Sequence, residues 1–218
     1  MPRRNTIGQE KHSYMSRSLP HRFDTDKPIF ITYRLKFTLP KNLIRTVNEK
    51  KSRWFRDLKS LDEHEQGLKL QEQDIIFFRW YDELIANHAD MPDMLKKREI
   101  RDIVIEALRF HDGLRYTLLA YCVMPNHVHA LIHPIIQESG DIYPIAHVTY
   151  TWKRYTANRI NKLMDRRGSL WQQESYDRMI RDETELANTF EYIIQNPVKA
   201  GLVENWQDWP GTWMRKYP

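Results

Sequence analysis

A chain of 218 residues with 41% hydrophobic and 12% aromatic residues can bury a sizeable core, which excludes a disordered tail and fits one domain with insertions or two small ones. Lys and Arg outnumber Asp and Glu by 34 to 29, and the net charge of +5 suits a phosphate-bearing partner without demanding one. Cys122 is the single cysteine, so no intrachain disulfide can form, and no stretch has the length and apolarity of a secretory leader or a membrane span; a cytoplasmic protein is expected.

Residues 1–28 are polar and basic, with Arg3, Arg4, Lys11, Arg17, His21 and Arg22, and read as an arm that is either merely solvated or touches nucleic acid. Residues 29–38 are rich in β-branched and aromatic side chains and alternate toward their end, the pattern of a strand closed by Pro40. Residues 41–94 are charged and mostly helical in pattern. Trp54, Phe55, Leu58 and Leu61 recur at helical spacing, while Lys50, Lys51, Arg53, Arg56 and Lys59 decorate the other faces. The apolar run 75–81 is taken as helix because residues 82–86 continue it without a breaker. Met91-Pro92-Asp93 is a turn, and an amphipathic helix follows over 94–111, ended by Asp112-Gly113.

Residues 115–123 read as a second strand, Pro125-Asn126 as a turn, and 127–133 as a third strand returning beside the second. A helix spans 145–164 with a basic side and stops by Gly168, a short strand follows over 176–180, and Asp182-Glu183-Thr184-Glu185 offers N-cap chemistry for a helix over 185–196 that Pro197 ends. The tail carries Trp206, Trp209 and Trp213 and is expected to pack on the core.

Two constellations carry chemistry. On a strand, His127 and His129 share one face with Leu131, while Val128, Ala130 and Ile132 share the other. Two neighbouring imidazoles on a rigid strand can begin a divalent metal site, or can be polar residues near water. On the last helix, Tyr192 and Asn196 are four positions apart and so project from one face. A tyrosine hydroxyl can act as a covalent nucleophile, and an amide oxygen one turn away can complete a metal shell; a packed ring and a helix-end carboxamide are the plainer alternative.

In order, Met124-Pro125-Asn126-His127-Val128-His129, then Leu170-Trp171-Gln172, then Tyr176-Asp177-Arg178-Met179-Ile180-Arg181, then Tyr192-Ile193-Ile194-Gln195-Asn196-Pro197-Val198-Lys199-Ala200-Gly201 resemble the REP-associated tyrosine transposases, relatives of the single-tyrosine HUH transposases of small insertion sequences. The resemblance covers residues 29–213, strongly from Arg115 onward, with part of 41–94 standing out as an insertion of unknown role and 214–218 as a tail. It implies an α+β chain with a ferredoxin-like βαββαβα core, an antiparallel sheet with helices on one side, an order that the elements read above share. It further implies His127 and His129 as metal ligands, Asn196 as the third ligand, Tyr192 as nucleophile, and Mg²⁺ or Mn²⁺ as the metal.

The partner it implies is single-stranded or hairpin DNA, met in the cytoplasm and at the nucleoid by a monomer or homodimer, with no membrane. Attack of Tyr192 on a phosphate would leave a 5′-phosphotyrosine and a free 3′-hydroxyl. A tyrosine of pKa ~10 needs help to do this, and no helping base is evident from the sequence. Lys153, Arg154, Arg178 and Lys199 are candidate DNA contacts. Tyr121, Tyr155 and Tyr176 compete with Tyr192 but lack a ligand-type residue one turn away on a helix ending in Asn-Pro. A non-catalytic hairpin-binding or regulatory protein and a metal phosphoesterase using water remain as alternatives.

Overall fold

The computed structural model describes residues 27–37, 39–59, 63–86, 88 and 91–216. The basic arm lies outside the described residues except for Lys27 and Pro28; so do Thr38, Leu61, the end of the tail past Lys216, and the side chains of Phe55 and Leu58.

Five strands form one antiparallel sheet: β1 (Ile29–Arg34), β2 (Tyr116–Val123), β3 (His127–Pro134), β4 (Tyr176–Met179) and β5 (Thr212–Met214), in the order β4-β1-β3-β2-β5. The first four, in the order 4-1-3-2, make the ferredoxin-like core. The tryptophan-rich tail does pack on the molecule, and it also extends the sheet as β5. Three residues are too few to show a strand period, so sequence alone does not reveal β5. It is seated by the Trp209 indole, which donates to the Val123 carbonyl at 2.9 Å, and by Gly211, where a Cβ would come within 2.5 Å of that same oxygen.

Five helices accompany the sheet: α1 (Lys41–Lys59), α2 (Glu63–Ala86), α3 (Arg98–Arg109), α4 (Ile145–Leu163) and α5 (Glu183–Lys199). They lie on both faces, not on one. Ile29, Ile31 and Tyr33 of β1 and Val128, Ala130 and Ile132 of β3 pack with Val104 and Leu108 of α3 and Val148 and Trp152 of α4. On the other face, Phe30 and Leu131 meet Phe78 of α2 and Tyr192 and Ile193 of α5. The reason is visible in β1, where all six residues are buried; a strand dry on both sides must be covered on both.

The helical reading of 75–86 is correct, and that run is the second half of α2. Phe77, Tyr81 and Ile85 recur at four-residue spacing and meet Leu43 and Val47 of α1 in a separate small core. Phe78 and Asp82, also four apart, turn instead to the sheet. The helix expected over 94–111 is interrupted: a 3₁₀ turn, Met94–Lys96, precedes α3, with Lys97 extended between them. Leu95 N donates to the Pro125 carbonyl at 3.1 Å and so ties this turn to the β2–β3 hairpin.

At the start of α5, Asp182 caps the helix by accepting from Glu185 N at 2.8 Å, as its sequence suggests. The helix does not end before Pro197 but continues to Lys199. Pro197 has no N–H for the Ile193 carbonyl, yet Ala200 N still reaches the Asn196 carbonyl at 3.0 Å and closes the last turn.

Trp152 is 1% exposed, and its indole donates to the Tyr116 hydroxyl at 3.0 Å. Trp152→Ala is expected to lose about 3–5 kcal/mol of stability in urea unfolding, since it leaves a cavity and removes one of the two hydrogen bonds of the Tyr116 hydroxyl, which still donates to the Leu108 carbonyl at 2.8 Å.

Candidate functional site

The β2–β3 hairpin closes where Met124 N donates to the His127 carbonyl at 2.8 Å. Beyond it, pleating turns His127 and His129 to the α2/α5 face with Leu131, and Val128, Ala130 and Ile132 to the α3/α4 face, as the alternation predicts. The β1–β3 register then sets Arg34 opposite His127 and Thr32 opposite His129. Both histidines are fully buried.

Each ring is oriented through its Nδ1. His127 Nδ1 lies 2.6 Å from Asn126 Oδ1, and His129 Nδ1 lies 2.7 Å from Thr32 Oγ1. The carboxamide oxygen of Asn126 only accepts, so His127 carries its proton on Nδ1 and leaves a lone pair on Nε2. The two Nε2 atoms converge to 3.0 Å. Burial pushes the His127 imidazole well below its ordinary 6.5 despite the pull of Asp82, and so keeps the neutral form that a metal requires.

The third member is Asp82 of α2, 1% exposed. Its Oδ2 lies 3.2 Å from His129 Nε2 and its Oδ1 3.5 Å from His127 Nε2. Arg34 Nη2 donates to Oδ1, and the Tyr192 hydroxyl donates to Oδ2. Burial alone would push this carboxyl up, but Arg34, His127 and His129 outweigh it and hold it well below the usual 3.8. Asp82 is the residue that the sequence reading missed. Its signal was an acid on the same helix face as Phe78 within the largely apolar run 75–86, whereas the neighbouring acid, Glu83, is exposed. Arg34 was missed too, although a charged residue ending a wholly buried strand is equally anomalous.

Tyr192 projects from α5 into the same cluster. Its ring stands 5.4 Å from that of His129, with the Arg79 guanidinium 5.3 Å and the Lys199 ammonium 5.6 Å from the ring centre. Burial first, then the charge and hydrogen bond of Asp82, push the phenol far above its ordinary 10.0. Asn196 donates back to the Tyr192 carbonyl at 3.4 Å and, with Tyr192, Asp82, Glu83, Ala86, Lys199 and Ala200, lines a cavity of about 20 Å³. The competing tyrosines are engaged elsewhere. Tyr155 donates to Glu106 at 2.7 Å, Tyr176 to Asp74 at 2.9 Å, and Tyr121 accepts from Arg109 at 2.9 Å.

Of the four candidate DNA contacts, the structure brings only Lys199 to this cavity. Arg154 is exposed on α4, across the sheet from the histidines. Lys153 Nζ donates to the carbonyls of Gln172, Gln173 and Glu174, each at 3.1 Å. Arg178 Nε donates to Glu185 at 2.6 Å, with both side chains almost covered. Both cations thus hold the segments around β4.

Two imidazole nitrogens and a carboxylate with mutual separations of 3.0–3.5 Å fit a divalent cation, whose ligands at about 2.1 Å stand roughly that far apart. Among the described residues this is the single His/Cys/Asp/Glu group so arranged. Cys122 stands opposite His129 in register, but burial pushes its thiol up to about 12, which leaves a proton on the sulfur.

Comparison with known proteins bears on this geometry. The chain is 33% identical over 103 residues to a protein of Haemophilus influenzae that carries the provisional name REP-associated tyrosine transposase. That match spans 44% of this chain and 57% of the relative, a little over half of its length. In three dimensions, 90% of the chain matches 82% of a REP-associated tyrosine transposase solved with a REP hairpin bound, at a TM-score of 0.53 and 14% identity, a likeness of fold. The chain is thus similar to one REP-associated tyrosine transposase in sequence and to another in fold. No family model matches it. Among the described residues no helix is long and apolar enough to cross a membrane.

Metal binding to the folded form stabilises it by mass action, about 2.7 kcal/mol at a hundredfold excess over Kd. Mn²⁺ is therefore expected to raise the melting temperature by roughly 5–10 °C for a chain of this size, read by differential scanning fluorimetry. His129→Ala and Asp82→Asn should abolish the rise, whereas Asn196→Ala should shrink it without removing it.

Proposed function

We propose that this chain is a metal-dependent endonuclease and strand transferase for single-stranded DNA, acting through a 5′-phosphotyrosine on Tyr192, with hairpin-containing repeat DNA as its substrate. The observation that carries this reading is the Asp82 carboxylate, which touches the Tyr192 hydroxyl and stands within 3.5 Å of both His Nε2 atoms. A phenol, an acceptor for its proton and a metal-type donor set then occupy one place. The solved relative bound to a REP hairpin supports the choice of hairpin DNA.

His127, His129 and Asp82 would hold the cation, Mg²⁺ or Mn²⁺, with Asn196 beside them on α5 as a further oxygen ligand. When bound, the cation supplies Lewis-acid polarisation of the phosphate. The chain's own groups do the rest. Thr32 and Asn126 fix the imidazole rings through their Nδ1 atoms. Asp82 Oδ2 already accepts the phenolic hydrogen bond, so it is positioned to take the proton as the Tyr192 oxygen bonds to phosphorus. The bond from phosphorus to O3′ breaks, and the 3′ oxygen leaves as a hydroxyl by taking up a proton. Because the phosphotyrosine conserves the ester bond, a 3′-hydroxyl can attack it and rejoin strands without ATP. Lys199, exposed beside the cavity, is the cation best placed to meet the DNA backbone.

A second reading draws on the burial of the nucleophile. Tyr192 is 6% exposed, which favours a protein that binds hairpins without cutting them. One gel separates these. With Mn²⁺ and a 3′-labelled hairpin carrying single-stranded flanks, the wild type is expected to form a protein–DNA adduct that survives denaturation, and Tyr192→Phe to form none while binding the DNA. Cleavage without adduct by Tyr192→Phe would mean that water attacks instead. Binding without adduct by the wild type would establish the non-catalytic reading.

A further inference from the structure

We propose that Arg34 is a catalytic residue of this site, its guanidinium donating to a non-bridging oxygen of the scissile phosphate; this rests on the phosphotyrosine reading above. Arg34 closes β1 directly opposite His127. It is 4% exposed, so its position is set by the core and not by solvent. Nη2 is engaged by Asp82 Oδ1. Nη1, on the same carbon, is buried and has no hydrogen-bond partner among the described residues.

A buried cationic donor left without an acceptor is costly. A simple ion-pair partner for Asp82 would not need a second donor, and a lysine would serve. An arginine does need a second acceptor, because its planar fork suits two oxygens of one carboxylate or phosphate. The Tyr81 ring, 5.6 Å from the guanidinium carbon, packs against that fork.

Asp82 also shows that an oxyanion can sit at this position. Its carboxylate contacts the guanidinium and the Tyr192 hydroxyl and lies beside both imidazole Nε2 atoms. Those are the groups that an attacked phosphate has to meet. Charge on the non-bridging oxygens during attack would find in Nη1 a donor already oriented and already dry, the arrangement in which a single donor is worth most.

The test uses the full-length protein. Arg34→Lys keeps the charge beside Asp82 and removes the second donor. The adduct-forming rate on the labelled hairpin in single turnover should fall about 100-fold, as for loss of one preorganised donor. The Mn²⁺-induced rise in melting temperature should stay as in the wild type, so that the loss of rate does not come from a disturbed metal site; a merely structural role, which a lysine fills, would leave the rate unchanged as well. A rate within threefold of wild type overturns the proposal and leaves the phosphotyrosine reading intact.

If the wild type forms no adduct at all, that reading fails, and a binding experiment decides Arg34 by itself. Asp82→Asn is compared with the double variant Asp82→Asn/Arg34→Gln, a neutral pair that does not strand a buried charge. Fluorescence anisotropy with labelled single-stranded DNA, without metal, is followed across salt concentrations. Loss of one phosphate contact should weaken binding in the double variant and lower the slope of log K against log salt by about 0.7. Equal affinity and equal slope in the two variants overturn the contact.

Discussion

A carboxylate with almost no water around it is tolerable only where cations and donors enclose it, and the Asp82 side chain meets that condition from three directions. β1 supplies Arg34, β3 supplies the two histidines, and α5 supplies the Tyr192 hydroxyl. Each of these elements is far from α2 in sequence. One buried charge therefore fixes the relative position of four elements, and the surrounding rings follow it. Phe78, one turn before Asp82, stacks on Tyr176 of β4 with ring centres 4.0 Å apart, and Phe30 stands edge-on to Tyr192 at 6.0 Å. Removing one partner from such a buried pair typically costs 3–5 kcal/mol. The cluster thus contributes to the fold as well as to chemistry.

The same dependence explains what could be read from the sequence and what could not. The hairpin was legible because Pro125-Asn126 is local turn chemistry, and the shared face of His127 and His129 because strand alternation is local too. Tyr192 and Asn196 needed only the helical repeat. The extent of α5 was misjudged by one turn, since Pro197 costs a hydrogen bond but sits where little helix remains to be disrupted. Helices on both faces were not foreseen, because the order of elements does not say on which side a crossover passes. The double burial of β1 does say so, once it is known that Thr32 and Arg34 are inside.

Asp82 and Arg34 lie beyond such local rules. A charge among apolar neighbours marks each as unusual, but nothing within a few residues says what it meets. Their roles arise from the β1–β3 register, which sets Arg34 opposite His127, and from the packing of α2 across the sheet. Part of 41–94 reads as an insertion of unknown role, and the second helix of that segment delivers the acid, the aromatic Phe78 and the Arg79 guanidinium over the Tyr192 ring. No base to help the tyrosine is evident from the sequence, and the carboxylate that accepts its hydrogen bond stands 110 residues earlier.

Charge counting then constrains how DNA could approach. Arg34 and Asp82 cancel, and burial holds His127 neutral. A phosphodiester entering this space would leave one uncompensated negative charge in a nearly dry setting, with Asp82 and the phosphate competing for the same guanidinium. Such a state is unfavourable by several kcal/mol. A divalent cation between the imidazoles and the carboxylate reverses the balance to one net positive charge, and Asp82 and a phosphate then attract through it instead of repelling. On this reckoning, a cation and a DNA backbone would bind cooperatively. The small cavity beside Tyr192, about 20 Å³ and room for little more than a water, must widen at its rim of α2 and α5 residues when they do.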